Sequence, residues 1–172
     1  SDARPEVVVG HRLVAGVHRD RLRPHPSVLG EHPEQWRLLK DDPARIERIV
    51  EETLRLSTPT QGMFRVVTSE TELGGCPLPK GSRIVVVFAS ANRDERLFPD
   101  PDGFDPDREH LRDHLAFGKG IHFCLGAPLA RLELQIALKT LFKRCPNMRL
   151  IEQPSYTNSY HFHGLAALKV SI

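Results

Sequence analysis

The apolar residues of the chain recur at helical spacing in two segments. The first segment places mostly apolar side chains on one face, namely Ile46, Ile49, Val50, Thr53 and Leu56. Asp42 followed by Pro43 is typical of a helix start, because aspartate caps free N–H groups and proline suits the first turn. Pro59 cannot continue the hydrogen-bond ladder. The pattern predicts a helix that ends at Ser57.

The second helical segment follows Pro128 and carries two apolar stripes. One stripe is Leu129, Leu132 and Ile136, and the other is Leu134, Leu138 and Leu141. Pro128 suits the first turn of a helix, and Pro146 ends one. Helices that are apolar over much of their circumference are usually buried. We therefore predict a largely buried helix that runs to about Arg144.

Runs of β-branched residues between the two helices predict extended structure. Residues 63–68 form one such run, and residues 83–88 predict a buried strand. Glycine and proline place turns at 72–75 and 79–81.

The other segments have weaker patterns. Residues 33–39 predict a short helix that contains Trp36, the only tryptophan of the chain. Residues 92–114 are rich in proline, aspartate and arginine without periodicity, which predicts a long ordered loop. Residues 150–172 predict short strands.

Composition and charge are those of a globular protein. The 172 residues are 40% hydrophobic and 27% charged, which is enough for one domain with a core. The net charge of +2 favours neither a nucleic-acid partner nor an acidic tail. Three widely spaced cysteines do not favour a disulfide framework. The sequence shows no membrane-spanning run and no signal peptide, so we expect a cytoplasmic protein.

A glycine-rich stretch, residues 117–126, precedes the second helix and contains Cys124. Its three glycines allow tight turns and close approach to a flat or bulky group. A sulfur at a helix N-terminus lies near the positive end of the helix dipole and near free N–H groups, which favour the thiolate. The stretch therefore predicts an activated sulfur in an open pocket.

Three chemistries use such a sulfur. Cys124 could act as a nucleophile with His122 as base, or bind zinc together with His110, His114 and His122. It could also be the axial ligand of a haem iron. The sequence has no evident third member of a catalytic triad and no Cys-x-x-Cys spacing to support the first two chemistries. A buried, inert cysteine is the ordinary alternative.

The spacing Phe-x-x-Gly-x-x-x-Cys-x-Gly, which begins at Phe117, resembles the haem-binding signature of the cytochrome P-450 family. His122, two residues before the cysteine, is similar to the bacterial form. The resemblance covers residues 31–172, which are similar to the C-terminal haem-binding region of a longer, complete family member. It implies a mainly α fold with small β-sheets (α+β).

The resemblance also implies the roles of individual residues. Cys124 would bind the iron of haem b, and Arg65 and His122 would contact the haem propionates. An exposed strand charge is the ordinary alternative for Arg65. The other residues assigned to haem contact are Phe117, Gly118, Leu125, Gly126 and Ala130.

Glu52 and Arg55 lie three residues apart and share a face of the first predicted helix. Such a pair is usually a solvated surface pair. Here it resembles the Glu-x-x-Arg signature of the family, which implies a buried pair joined by a downstream arginine. The candidate for that arginine is Arg108. The resemblance implies that this network holds the haem-loop region in place and does no chemistry.

Residues 13–16 resemble part of the family's central helix above the haem. An acid–threonine pair on that helix delivers protons to bound oxygen, but His18 and Arg19 stand in its place. We interpret residues 1–30 as a degraded remnant of this region and assign no catalytic residue. A local shift of reading frame within residues 17–30 is the competing hypothesis.

The resemblance implies a haem-thiolate monooxygenase. In the family, thiolate donation to iron promotes O–O cleavage, and one oxygen atom of O2 enters an organic substrate. A ferredoxin with its reductase, or another flavoprotein, would supply electrons, and the substrate would be small and hydrophobic. The competing hypothesis is an inactive, truncated haem-binding remnant or a haem carrier that lacks the distal proton relay.

Overall fold

The computed structural model describes residues 42–171 except Asn147, Gln153 and Tyr160. The helix predicted at 33–39 and the interpretation of residues 1–30 lie outside this part of the chain. The described residues form three α-helices and four small sheets, in agreement with the predicted fold class. The helices are α1 (Ile46–Ser57), α2 (Phe88–Ala91) and α3 (Ala127–Arg144).

Helix α1 ends at Ser57 as its sequence predicts, but it begins at Ile46, after a 3-10 turn at the predicted start. Residues Pro43–Arg45 form a 3-10 turn, and the Asp42 carboxylate accepts a hydrogen bond of 3.0 Å from the Ala44 N–H. At the other end, Thr58 adopts a left-handed conformation with φ of 38°. Its hydroxyl donates to the Arg55 carbonyl at 2.6 Å. The chain therefore turns sharply after Ser57.

Four two-stranded antiparallel sheets accompany the helices. Strand β1 (Gly62–Val66) pairs with β4 (Arg83–Val87), and β2 (Thr71–Leu73) pairs with β3 (Cys76–Leu78). Near the C-terminus, β5 (Arg149–Leu150) pairs with β8 (Val170–Ser171), and β6 (Ser155–Tyr156) pairs with β7 (Leu165–Ala167). A single bridge between Thr60 and Phe162 joins this tail to the segment after α1.

The β2–β3 hairpin was not predicted as two strands. Its turn consists of Gly74 and Gly75, whose φ values of 59° and 79° are left-handed and suit glycine. The predicted turn at 72–75 therefore includes residues of β2. The strands are short and mostly exposed, so they lack the alternation that identifies a strand in a sequence.

The hydrophobic core lies between α1 and α3. Its buried members are Ile46, Ile49, Leu56 and Phe104, and Leu138 and Phe142 pack against them. Phe104 comes from the long loop, so this core joins α1, α3 and the loop.

Two predictions of burial were wrong. Helix α3 runs to Arg144 as predicted, but Leu129, Leu132 and Ile136 are more than half exposed. Among the described residues, α1 is the main helix packed along α3, so the first apolar stripe has no covering element. Strand β4 is likewise only partly buried, because within the described residues its sheet has only two strands. Within the described residues, no helix is long and apolar enough to cross a membrane. A cytoplasmic location stays a prediction.

The core position of Ile49 can be tested against a matched isoleucine. We expect Ile49→Ala to lower the free energy of unfolding by about 2–5 kcal/mol, because the side chain is fully buried and its removal leaves a cavity. Ile136→Ala, on the exposed stripe of α3, should change it by about 0.5 kcal/mol or less. Urea denaturation of both variants measures the difference, and equal losses would place the core elsewhere.

Candidate functional site

Residues 117–126 fold into a tight loop that presents Cys124. Gly118 and Gly120 have φ values of 71° and 73°, a conformation that few other residues adopt. A 3-10 turn, Gly120–His122, follows, and the Cys124 N–H then donates to the Phe117 carbonyl at 2.9 Å. The loop therefore closes on itself and leaves Cys124 exposed.

Helix α3 starts directly after this loop. The Ala127 N–H donates to the Cys124 carbonyl at 3.2 Å, and Pro128 lies in the first turn. The cysteine therefore stands at the N-terminal end of an 18-residue helix, as predicted. Helix dipoles favour a negative charge at this end.

A cleft of about 800 Å³ is lined by the loop, by the β1–β4 sheet and by Leu54 of α1. Five of the predicted cofactor contacts line it, namely Arg65, Phe117, Gly118, His122 and Cys124. The apolar part of the lining includes Leu54, Pro59, Met63, Val86 and Phe88. The remaining predicted contacts are Leu125, Gly126 and Ala130, which do not line the cleft. Leu125 is 99% exposed, and Ala130 is half-buried on α3.

Arg65 brings a positive charge to the cleft. It lies on β1 opposite Ile84, is exposed to solvent, and donates to the Phe64 carbonyl at 2.9 Å. Within the described part of the chain, no carboxylate pairs with it. Arg65 and His122 are thus two side chains that can donate to an acidic group in the cleft.

The cleft offers one thiol, that of Cys124, and, within the described residues, no zinc-type cluster. Within residues that the structure describes, no three His, Cys, Asp or Glu side chains group as metal ligands. His114, one of the histidines considered for zinc, is buried and hydrogen bonds to Glu51. The arrangement therefore suits a flat, mostly apolar group that needs one thiolate ligand and carries acidic substituents.

The structure brings Glu52, Arg55 and Arg108 together in the protein interior. The Glu52 carboxylate accepts bonds of 2.7 and 2.8 Å from Arg55 and of 3.2 Å from Arg108. It also accepts the Asp105 N–H at 3.0 Å. None of the three side chains is more than 4% exposed.

The two arginines of this network also bind the long loop. Arg55 donates to the carbonyls of Asn92 and Pro101 at 2.8 and 2.7 Å. Both arginines donate to the carbonyl of Gly103. The long loop has little regular structure, so these side-chain donors satisfy carbonyls that a helix or sheet would otherwise satisfy.

A second buried network, which the sequence did not predict, lies on the neighbouring residue of α1. Glu51 accepts bonds from Arg131 at 2.5 and 2.9 Å and lies 2.9 Å from His114 Nε2. Burial alone would raise the pKa of Glu51, but the hydrogen bonds from His114 and Arg131 and the charge of Arg131 outweigh it. They lower the pKa from 4.5 to about 2. An available signal was the pair of adjacent glutamates in this helix, since Glu51, like Glu52, needs a cation if it is buried.

The buried carboxylate of Glu52 predicts a large effect of its neutralisation. Glu52→Gln keeps the shape but leaves two buried guanidinium groups without a counter-charge, so we expect a loss of about 3–5 kcal/mol in unfolding free energy. Glu47→Gln on the same helix is the matched control, because Glu47 is half exposed in its pair with Arg112. Its loss should be about 1 kcal/mol or less. Equal effects in urea denaturation would show that burial adds nothing to the Glu52 network.

The low pKa of Glu51 predicts an acid dependence of stability. Because the folded pKa of about 2 lies below the ordinary 4.5, this stabilisation is complete above pH 4.5 and is lost as the pH falls towards 2. Glu51→Gln removes that proton uptake, so its unfolding free energy should fall less steeply with acid, by up to about 1.4 kcal/mol per pH unit. Urea melts at several pH values measure the slope. A slope identical to the native one would contradict the assignment.

Comparison with known proteins agrees with this geometry. The Cytochrome P450 family model matches residues 44–166. The chain is 45% identical over 119 residues to 6-deoxyerythronolide B hydroxylase from Saccharopolyspora erythraea. The aligned segment covers 69% of this chain and 29% of that protein. It is 48% identical over 129 residues to nocardicin C N-oxygenase from Nocardia uniformis, with coverages of 74% and 32%.

A solved structure gives the same result. P450BioI, crystallised in complex with acyl carrier protein ligated to hexadec-9Z-enoic acid, is 40% identical and superposes with a TM-score of 0.80. The match covers 84% of this chain and 37% of that chain. The chain thus spans about a third of the length of these relatives. Since the family model includes α1, the Cys124 loop and α3, the chain belongs to the cytochrome P450 family.

Proposed function

We propose that this chain is the haem-binding part of a haem-thiolate monooxygenase and that it binds the iron through Cys124. The observation that carries the proposal is the meeting of Arg65, His122 and Cys124 at one cleft. These residues are up to 59 positions apart in sequence. A thiolate suits a haem iron, and two donors suit the acidic propionates of a haem.

The dimensions and lining of the cleft support a haem, which we take to be haem b. Its volume of about 800 Å³ falls within the range of about 300–1,000 Å³ for cofactor sites. The apolar side chains of Leu54, Met63, Val86 and Phe88 provide walls for a flat macrocycle. The charged side chains are few, as expected for a site that orients one apolar ligand.

We assign separate tasks to the cysteine, to the two donors and to the apolar walls of the cleft. The Cys124 thiolate would coordinate iron, since the loop holds its backbone by the bond to the Phe117 carbonyl. Arg65 and His122 would bind the propionates and fix the rotation of the ring. The apolar walls would exclude water from the sulfur side. When bound, the haem supplies the chemistry by which O2 is cleaved and one oxygen atom enters an organic substrate.

Substrate and electron donor follow from the family at class level. On the basis of the family, we propose a small, hydrophobic organic substrate. Two of the relatives named above are called a hydroxylase and an N-oxygenase. Electrons would come from a ferredoxin with its reductase or another flavoprotein. His18 and Arg19, in place of the acid–threonine pair, lie outside the described residues.

The proposal is tested by the absorption spectrum of the full chain mixed with haem, reduced and exposed to carbon monoxide. We expect a strongly red-shifted Soret band, because a thiolate donates electron density to the iron. Cys124→Ser should abolish the shift, since serine offers no thiolate. Cys76→Ser, in the β2–β3 hairpin, is the matched control and should retain it.

An unshifted band in the native chain would contradict the proposal and support the inactive remnant. Loss of the shift in Cys76→Ser, with the shift retained in Cys124→Ser, would show that Cys76 and not Cys124 binds the iron.

A further inference from the structure

The buried Glu51 network connects α1 to both ends of the Cys124 loop. Glu51 is 1% exposed and lies on α1. His114 stands just before the loop, and Arg131 lies on α3 just after it. One carboxylate therefore binds both the segment that precedes the loop and the helix that follows it.

The histidine side of this network has a defined geometry. His114 is buried, and its Nδ1 accepts the Ala116 N–H at 3.2 Å. The hydrogen of the ring therefore lies on Nε2, which donates to Glu51 at 2.9 Å. The adjacent Leu115 N–H donates to the buried Asn92 side chain at 2.6 Å. The backbone that enters the loop is thus held by two buried polar side chains.

The arginine side reaches the loop itself. Arg131 offers two N–H groups to the two oxygens of Glu51, which fixes the plane of its guanidinium. That plane lies over the ring of Phe117, with 4.7 Å between the guanidinium carbon and the ring centroid. The Phe117 carbonyl accepts the Cys124 N–H at 2.9 Å. A continuous series of contacts thus runs from Glu51 through Arg131 and Phe117 to Cys124.

We propose that Glu51 is a positioning residue that, through His114 and Arg131, fixes the Phe117 end of the loop and so the direction of the Cys124 sulfur. This inference rests on the proposed function, because it assigns the sulfur to iron. Glu51 touches neither the cleft nor the sulfur. Its effect passes through side chains that orient the ligand, as outer groups do at other metal sites.

Neutralising the carboxylate should release the loop. Glu51→Gln keeps the size of the side chain, but its amide N–H groups face the N–H groups of Arg131, so at most one of the two bonds can re-form. Arg131 then lacks the partner that holds it over Phe117. Arg131→Lys gives a milder second variant, because lysine retains the charge and loses the planar fork.

The test separates positioning from loss of stability. The haem-loaded chain, reduced with carbon monoxide, is scored for the ratio of the red-shifted Soret band to the unshifted band. We expect this ratio to fall about tenfold in Glu51→Gln and in the same direction in Arg131→Lys. Two control variants should leave this ratio unchanged. Ile49→Ala destabilises the same helix without touching the Cys124 loop, and Arg144→Lys lies on α3.

Hydrogen exchange provides a readout that needs no haem. In Glu51→Gln the amides of residues 117–124 should exchange about tenfold faster than in Ile49→Ala, while residues 83–87 exchange alike in both. A Soret ratio and an exchange pattern equal to those of Ile49→Ala would overturn the inference and leave Glu51 a stabilising residue. If the native chain shows no Cys124-dependent band, the proposed function fails, and unchanged loop exchange would then overturn the positioning claim as well.

Discussion

The carboxylate of Glu52 is fully buried, and the structure around it depends on its two arginine partners. An isolated charge in a protein interior costs several kcal/mol, so burial is possible only because Arg55 and Arg108 surround the oxygens. The same arginines use their remaining N–H groups on carbonyls of the long loop. A loop of more than 20 residues, whose one regular element is the 3-10 turn Leu111–Asp113, is thereby fixed against α1. The network therefore orders the long loop, because its arginines satisfy carbonyls of that loop.

Helix α1 carries a second buried carboxylate, Glu51, whose ionic network reaches the candidate site. Successive residues of a helix point about 100° apart, so Glu51 and Glu52 face different parts of the molecule. Glu52 faces the long loop, and Glu51 faces the segment before the Cys124 loop and helix α3. Two adjacent carboxylates on one helix thus fix the long loop and the two segments that flank the Cys124 loop. The cleft is lined by segments far apart in sequence, and the Glu51 network holds the two flanks of one of them, the Cys124 loop, against α1.

The sequence predicts the local elements better than their surroundings. Periodicity and proline placement define α1 and α3, because those signals depend only on neighbouring residues. The Cys124 loop follows from glycine spacing, since Gly118 and Gly120 adopt left-handed conformations. Burial of α3 was predicted wrongly, because an apolar stripe shows what a residue tolerates and not whether another element covers it.

The partners of Glu51 could not be predicted for a related reason. The members of the network stand at positions 51, 114 and 131, and each has an ordinary surface role in a sequence. Only the packing of α1 against α3 brings a carboxylate to Arg131. Arg108 was predicted because the family signature implies a third partner of Glu52. The meeting of Arg65 with Cys124 likewise depends on the register of β1 with β4 and on the fold around it.

The most direct measurement of the central claim is iron K-edge X-ray absorption of the haem-loaded chain. The account predicts one sulfur neighbour of the iron in the native protein, which disappears in Cys124→Ser and persists in Cys145→Ser. An iron surrounded by nitrogen and oxygen alone, or a sulfur that remains without Cys124, would contradict it.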